Sequence, residues 1–130
     1  MPKNACLGNY VDTFAVETND KKIHKIAQSG GFVSTMLIYL LDRKIIDGTV
    51  VTRWRKDDPF LPETYIARNK KEVLEAVGSK YIPVPTNVII KNLLKEKGKF
   101  AFVGTSCQIH GMRKTEELFP NLKKIELNYI

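Results

Sequence analysis

Sulfur and imidazole are scarce in this chain of 130 residues, which has two cysteines and two histidines. Cys6 and Cys107 stand far apart, so no disulfide framework is available and a reducing, cytoplasmic setting is expected. His24 and His110 form no metal-spaced pair with each other or with either cysteine. Long apolar runs are missing too. The longest, residues 36–41, falls far short of the roughly 20 residues a membrane span requires. No charged-then-apolar leader opens the chain, because Met1-Pro2-Lys3-Asn4 runs straight into mixed sequence. Low-complexity stretches, internal repeats and linker-like segments are absent as well, which sets aside solenoids and tethered arrays.

What is present suits a single compact domain over residues 1–130. The length is enough for one core and short for two. Hydrophobic content of 43% and charged content of 27% belong to a soluble globular class. Net charge is +7, from 21 Lys and Arg against 14 Asp and Glu, a balance that suits polyanions and phosphate-bearing cofactors. The lysines are spread along the chain, however. Lys21-Lys22, Lys70-Lys71 and Lys123-Lys124 read as solvated faces, which argues against a nucleic-acid stripe.

Residues 10–17, with Tyr, Val, Thr and Phe, predict a first strand. Val33, Met36, Leu37, Leu40 and Leu41 recur at helical spacing over 32–44, with Ser29 as the expected N-cap. Asp47-Gly48 marks a turn into a β-branched strand over 49–54, and 64–67 reads as another short strand. Asn69 and Glu72 resemble a capping box for a helix over 70–77 that Gly78 stops. Pro83 and Pro85 make 79–85 a loop, and an amphipathic helix over 88–97 is expected to end at Gly98. A buried strand at 100–103, a helix at 108–118 and an alternating strand at 123–130 complete the pattern. Strands alternating with helices predict an α/β fold, a mostly parallel or mixed sheet flanked by helices. The close on an apolar strand at Ile130 reads as a domain cut short or one relying on a partner.

Three places carry chemistry. Ser29-Gly30-Gly31, opening a helix, could cradle a phosphate with backbone N–H groups; equally, it is an ordinary capped start. Gly78-Ser79-Lys80-Tyr81 offers a hydroxyl, an ammonium and an aromatic ring, or simply a helix stop with polar loop residues. Cys107 follows the strand–glycine run Phe100-Ala101-Phe102-Val103-Gly104-Thr105-Ser106 and sits at the mouth of a helix, where N–H groups and partial positive charge favour thiolates and metal-bound sulfur. Three readings of it stand open. It is a phosphatase nucleophile closed over by Arg113, a cluster ligand, or a buried inert thiol. No histidine directly precedes it, and Lys114 follows the arginine where a hydroxyl residue is expected of a phosphatase.

Taken together, Gln28-Ser29-Gly30-Gly31-Phe32-Val33-Ser34, Ile46-Asp47-Gly48, Ala76-Val77-Gly78-Ser79-Lys80-Tyr81 and Val103-Gly104-Thr105-Ser106-Cys107-Gln108 resemble the N-terminal domain of the coenzyme F420 hydrogenase/dehydrogenase beta-subunit family, in order and with similar spacing over about residues 25–130. The resemblance implies an oxidoreductase subunit using FAD, a 4Fe-4S cluster and, in many archaeal members, coenzyme F420, with the cluster passing electrons to a partner subunit. It implies that Ser29, Gly30, Gly31 and Ser34 lie against the flavin nucleotide. Gly78, Ser79, Lys80 and Tyr81 would form a second flavin-facing loop with Lys80 at a phosphate. Gly104 and Thr105 would shape the turn beside the isoalloxazine, and Cys107 would ligate the cluster. Family members commonly carry proline where this chain has Ser106, and they continue into a cysteine-bearing stretch and a second domain. Three cluster ligands are therefore expected outside this chain, since Cys6 is poorly placed to supply one. The partners implied are that C-terminal domain and other oxidoreductase subunits, with a homo-oligomer left open. The other readings are a small phosphatase built on Cys107 and Arg113, and a non-catalytic nucleotide-binding or assembly domain.

Overall fold

The computed structural model describes residues 10–130. Helix α1 (Lys21–Ile26) and α2 (Phe32–Asp42) come first, then strands β1 (Gly48–Trp54) and β2 (Pro62–Ala67). Helix α3 (Lys70–Glu75), a short α4 (Ile90–Leu93), β3 (Gly98–Phe102), α5 (Ser106–Leu118) and β4 (Ile125–Tyr129) follow. The four strands form one mixed sheet in the order β2-β1-β3-β4. β1 pairs antiparallel with β2 and parallel with β3, and β3 pairs parallel with β4.

Alternation along the strands divides the core between the two faces. Val51 and Ala101 pack with Ile23, Leu37, Ile38, Leu41 and Val73, beneath α1, α2 and α3. Val50, Phe100 and Phe102 point the other way, against Ile89, Leu93, Met112 and Leu122. Helices therefore cover both sides of the sheet, as the α/β reading expected.

Local chemistry explains several boundaries. Asn69 Oδ1 accepts the Glu72 N–H at 3.0 Å, and Glu72 reaches back to the Arg68 N–H at 2.6 Å, so the predicted cap forms with its return bond one residue early. α2 closes with Ile45 N–H donating to Leu40 O at 2.9 Å and Lys44 N–H to Leu41 O at 3.0 Å, a Schellman closure that puts Lys44 at φ +54. Asp47 bridges the amino ends of β1 and β3: its N–H donates to Lys99 O at 2.7 Å and its carboxylate accepts the Lys99 N–H at 2.8 Å.

Four expectations are corrected. Residues 10–17 form no strand. Among the described residues the first backbone bond tying this arm to the fold is Thr18 N–H to Gly30 O at 2.8 Å, so its β-forming residues have no ladder to join. The helix expected over 88–97 is a 3₁₀ turn at Thr86–Ile89 followed by the short α4, after which Lys95 and Glu96 donate to carbonyls three residues back. Gly98 is no helix stop. It opens β3 at φ +115, and a Cβ there would collide with the Asp47 carboxylate. Ser29 is not the N-cap of α2. It sits at φ +54, Gly31 occupies the capping position, and no side chain caps the helix.

Candidate functional site

A cleft of about 380 Å³ opens at the carboxyl ends of the parallel strands β1 and β3, where ligands of such sheets bind. Its first wall is the start of α2, with Val33, Ser34 and Leu37. The second is the end of α3 and the loop after it, with Ala76, Gly78, Ser79, Lys80, Ile82 and Val84. Its base is the turn after β3, with Val103, Gly104, Thr105 and Gln108. The lining is apolar on its flanks and polar at its rim. Among the described residues that line it, Lys80 is the one charged residue and no carboxylate faces in.

Glycine at 78 serves conformation: φ is +92, and an added Cβ would meet nothing within 4 Å. The Lys80 ammonium turns back on the C-cap of α3 and the loop after it, donating to Ala76 O at 2.6 Å and Gly78 O at 2.8 Å, with Val77 O at 3.4 Å. It thereby gives the C-cap carbonyl of α3 a partner and holds the loop beside it. Desolvation lowers the Lys80 pKa from the usual lysine value. Ser79 N–H donates to Gln28 Oε1 at 2.6 Å, and Gln108 Nε2 donates to Val84 O at 2.9 Å. Tyr81 is 84% exposed and does not line the cleft.

Ser29, Gly30 and Gly31 take three successive left-handed conformations, at φ +54, +75 and +69, and none of them lines the cleft. Their tight neighbours belong to the protein itself. A Cβ on Gly30 would come within 3.1 Å of Glu17, and one on Gly31 within 3.0 Å of Ala27 and 3.1 Å of Ile23. Thr35 Oγ1 donates to buried Thr18 Oγ1 at 2.6 Å, fastening the arm across the turn. The turn thus aims α2 so that Ser34 reaches the cleft. Ile46-Asp47-Gly48 lies at the opposite, amino end of the sheet, where a Cβ on Gly48 would come within 2.9 Å of the Phe100 ring.

At the base, a Cβ on Gly104 would come within 2.9 Å of the Phe102 ring and 3.3 Å of Gln108. Gln108 Oε1 accepts the Thr105 N–H at 2.9 Å, tightening the start of α5. Cys107 is exposed in the first turn of α5, its Sγ 3.2 Å from Thr105 Oγ1. It is not the buried thiol of one sequence reading. The phosphatase reading is corrected as well. Residues 107–113 all lie in α5, which separates Cys107 from Arg113 by about 9 Å along the axis and leaves no loop of amides to wrap a phosphate. Arg113 instead lies 5.2 Å above the Tyr129 ring.

Thr105 and Gln108 have the spacing of a capping box, a signal the sequence carried. The long-range bonds of Gln28 to Ser79 N–H and of Gln108 to Val84 O follow from no spacing rule.

The cleft suits part of a flavin. Its volume falls within the roughly 300–1,000 Å³ of small-molecule sites, its flanks are apolar enough for a ring, and none of the described residues lining it repels an anion. A four-thiolate cluster is not met. Among the described residues, Cys107 is the free cysteine and no group of three or more potential metal ligands forms, while Cys6 lies outside the described residues. No helix among the described residues is long and apolar enough to cross a membrane.

The comparisons with known proteins bear on this cleft. Residues 13–91 match the family described as coenzyme F420 hydrogenase/dehydrogenase, beta subunit N-term. The coenzyme F420 hydrogenase subunit beta of Methanosarcina barkeri is 33% identical over 122 residues, covering 92% of this chain and 41% of that protein. That of Methanococcus voltae is 37% identical over 109 residues, covering 82% and 39%. A chain of the F420-reducing NiFe hydrogenase complex from M. barkeri superposes with a TM-score of 0.69 at 30% identity, covering 80% of this chain and 36% of that one. The chain spans about two fifths of the length of these beta subunits. The match runs through both walls of the cleft and stops before α5, while the wider alignments take in most of the fold, and on these grounds the chain belongs to the coenzyme F420 hydrogenase/dehydrogenase beta-subunit family and corresponds to its N-terminal region.

Proposed function

We propose that this chain forms part of the FAD site of an F420-linked oxidoreductase beta subunit, which moves electrons between coenzyme F420 and a partner subunit. The observation that carries the reading is convergence. Ser34, Gly78, Ser79, Lys80, Gly104 and Thr105, drawn from three separate motifs, line one cleft at the carboxyl edge of the sheet. FAD, when bound, supplies the ring that accepts or releases hydride. The chain's own part is binding. Apolar flanks exclude water, rim hydroxyls offer hydrogen bonds, and the one ammonium biases the site toward an anion. Ser29, Gly30 and Gly31 act from behind by aiming α2, and Tyr81 faces solvent. Cys107, exposed at the start of α5 beside the cleft base, would supply one thiolate to a 4Fe-4S cluster, the remaining ligands coming from outside the described residues.

Titrating the purified chain with FAD tests the reading. Bound flavin, followed by its quenched fluorescence, should saturate, and Ser34→Phe, which fills the cleft mouth, should weaken binding at least about tenfold while circular dichroism stays native. Absence of FAD binding by the wild-type chain, or equal affinity in the variant, refutes it.

A further inference from the structure

The loop over residues 78–85 forms most of the second wall of the cleft yet has little holding it. Pro83 and Pro85 have no N–H to give. Lys80 bonds only to carbonyls at the end of its own helix and loop, and the backbone bonds of the segment run to its immediate neighbours. Among the described residues, two hydrogen bonds tie this wall to other elements, and a glutamine makes each: Ser79 N–H to Gln28 Oε1 at 2.6 Å, and Gln108 Nε2 to Val84 O at 2.9 Å.

The geometry points to Gln28 and Gln108 as positioning residues that clamp this wall from opposite sides and thereby set the affinity of the cleft for its ligand. The ligand part rests on the FAD reading above. The two clamps differ chemically. Gln28 is used as an acceptor, a task that a carboxylate performs equally well. Gln108 works in both directions at once, accepting from Thr105 N–H with Oε1 while donating to Val84 O with Nε2. A carboxylate keeps the first bond and turns the second into repulsion between two acceptors. Gln108 also receives Asn87 Nδ2 on its backbone carbonyl at 3.2 Å, which seats α5 against the turn following the wall.

Amide hydrogen exchange of residues 79–86 in the ligand-free chain reads the clamp, and FAD titration of the same proteins reads its consequence. Gln28→Ala and Gln108→Ala should each speed exchange of the segment roughly fivefold, the factor that one lost neutral hydrogen bond corresponds to, and weaken FAD binding by a similar factor. Gln28→Glu should retain wild-type exchange and affinity, whereas Gln108→Glu should behave like Gln108→Ala. A side chain that merely filled space would tolerate glutamate equally at both positions, so equal behaviour of the two glutamate variants overturns the inference. Unchanged exchange in both alanine variants overturns it too, as does faster exchange with unaltered FAD affinity. If the wild-type chain binds no FAD, the flavin reading fails, and with it the ligand part of the inference; the exchange asymmetry then decides the clamp alone.

Discussion

Gly31→Ala separates two roles that a glycine turn beside a cleft can have. A glycine kept for close approach of a ligand is replaceable in the ligand-free protein, whereas one kept for the fold is not. At Gly31 φ is +69, a conformation that costs an L-residue about 1–2 kcal/mol. The added methyl would also lie 3.0 Å from Ala27 Cβ, 3.1 Å from Ile23 Cγ2 and 3.2 Å from Thr18 Cγ2. Ile23 and Thr18 are themselves buried, so relief requires moving α1 and the arm together. Overpacking of this kind costs about 1–3 kcal/mol, and the two contributions together come to roughly 2–5 kcal/mol. For a domain of this size that corresponds to a fall in Tm of roughly 6–20 °C, measured by differential scanning calorimetry without FAD. Gly78→Ala is the control. Its φ of +92 brings backbone strain, but no atom lies within 4 Å of the new methyl, so about 1–2 kcal/mol is expected. A Gly31→Ala protein melting within 2 °C of the wild type, on the order of the scatter of such scans, refutes the structural role.

Lys44→Gly should raise stability by about 1 kcal/mol, because the Schellman closure of α2 holds Lys44 at φ +54; urea unfolding should show a higher midpoint with an unchanged slope. Glu75 is predicted to contribute to acid sensitivity. Burial works to raise its pKa, but the hydrogen bond from Arg53 and the charge of Lys56 bring it below the usual carboxylate value. The folded pKa is the lower one, so the stabilisation is fully present above the unfolded value of 4.5 and is lost as pH falls below it. Urea midpoints between pH 6 and pH 3, roughly the span over which carboxylates titrate, should therefore fall more steeply for wild type than for Glu75→Gln. Cys107, exposed on α5, should react with a thiol reagent in the native protein, and Cys107→Ser should remove one fast equivalent while leaving the helix content unchanged.

Much of the sheet could be read from composition because its strands follow local rules. Val50 and Val51 alternate between two cores, Phe100 and Phe102 share one face, and their β-branched and aromatic residues match a half- or fully-buried ladder. The cap at Asn69 is equally local. Residues 10–17 have the same propensity but form no strand, and only Val16 and Glu17 at the end of the arm reach the turn at Gly30, a fact that resides in the tertiary arrangement. Residues 86–97 misled for another reason. Their apolar spacing suits a helix, yet the segment follows two prolines and must hand Gly98 to a strand at φ +115 beneath Asp47, which leaves room for little more than one α-helical turn. For the site, individual motifs were legible and their grouping was not. Ser79 and Gln28 are 51 residues apart, and no spacing rule joins them.

The motifs that mark the family do their work at opposite ends of one sheet. Asp47 and Gly48 lock the amino ends of β1 and β3, with the Asp47 carboxylate spanning to the Lys99 N–H and Gly48 making room for the Phe100 ring. That lock sets the register in which Val50 faces Phe102, and Val50 O in turn accepts the Val103 N–H at 3.2 Å just where the cleft base begins. The turn after β3 is fixed from the other side by Gly104 N–H donating to Ile130 O at 3.2 Å. A change at Asp47 should therefore loosen the cleft base through the pairing of β1 with β3, whereas a change at Gln108 should loosen the wall and leave the pairing intact. Strand amides of β1 and β3 exchanging faster in Asp47→Ala, and unaltered in Gln108→Ala, is the pattern this division of labour requires.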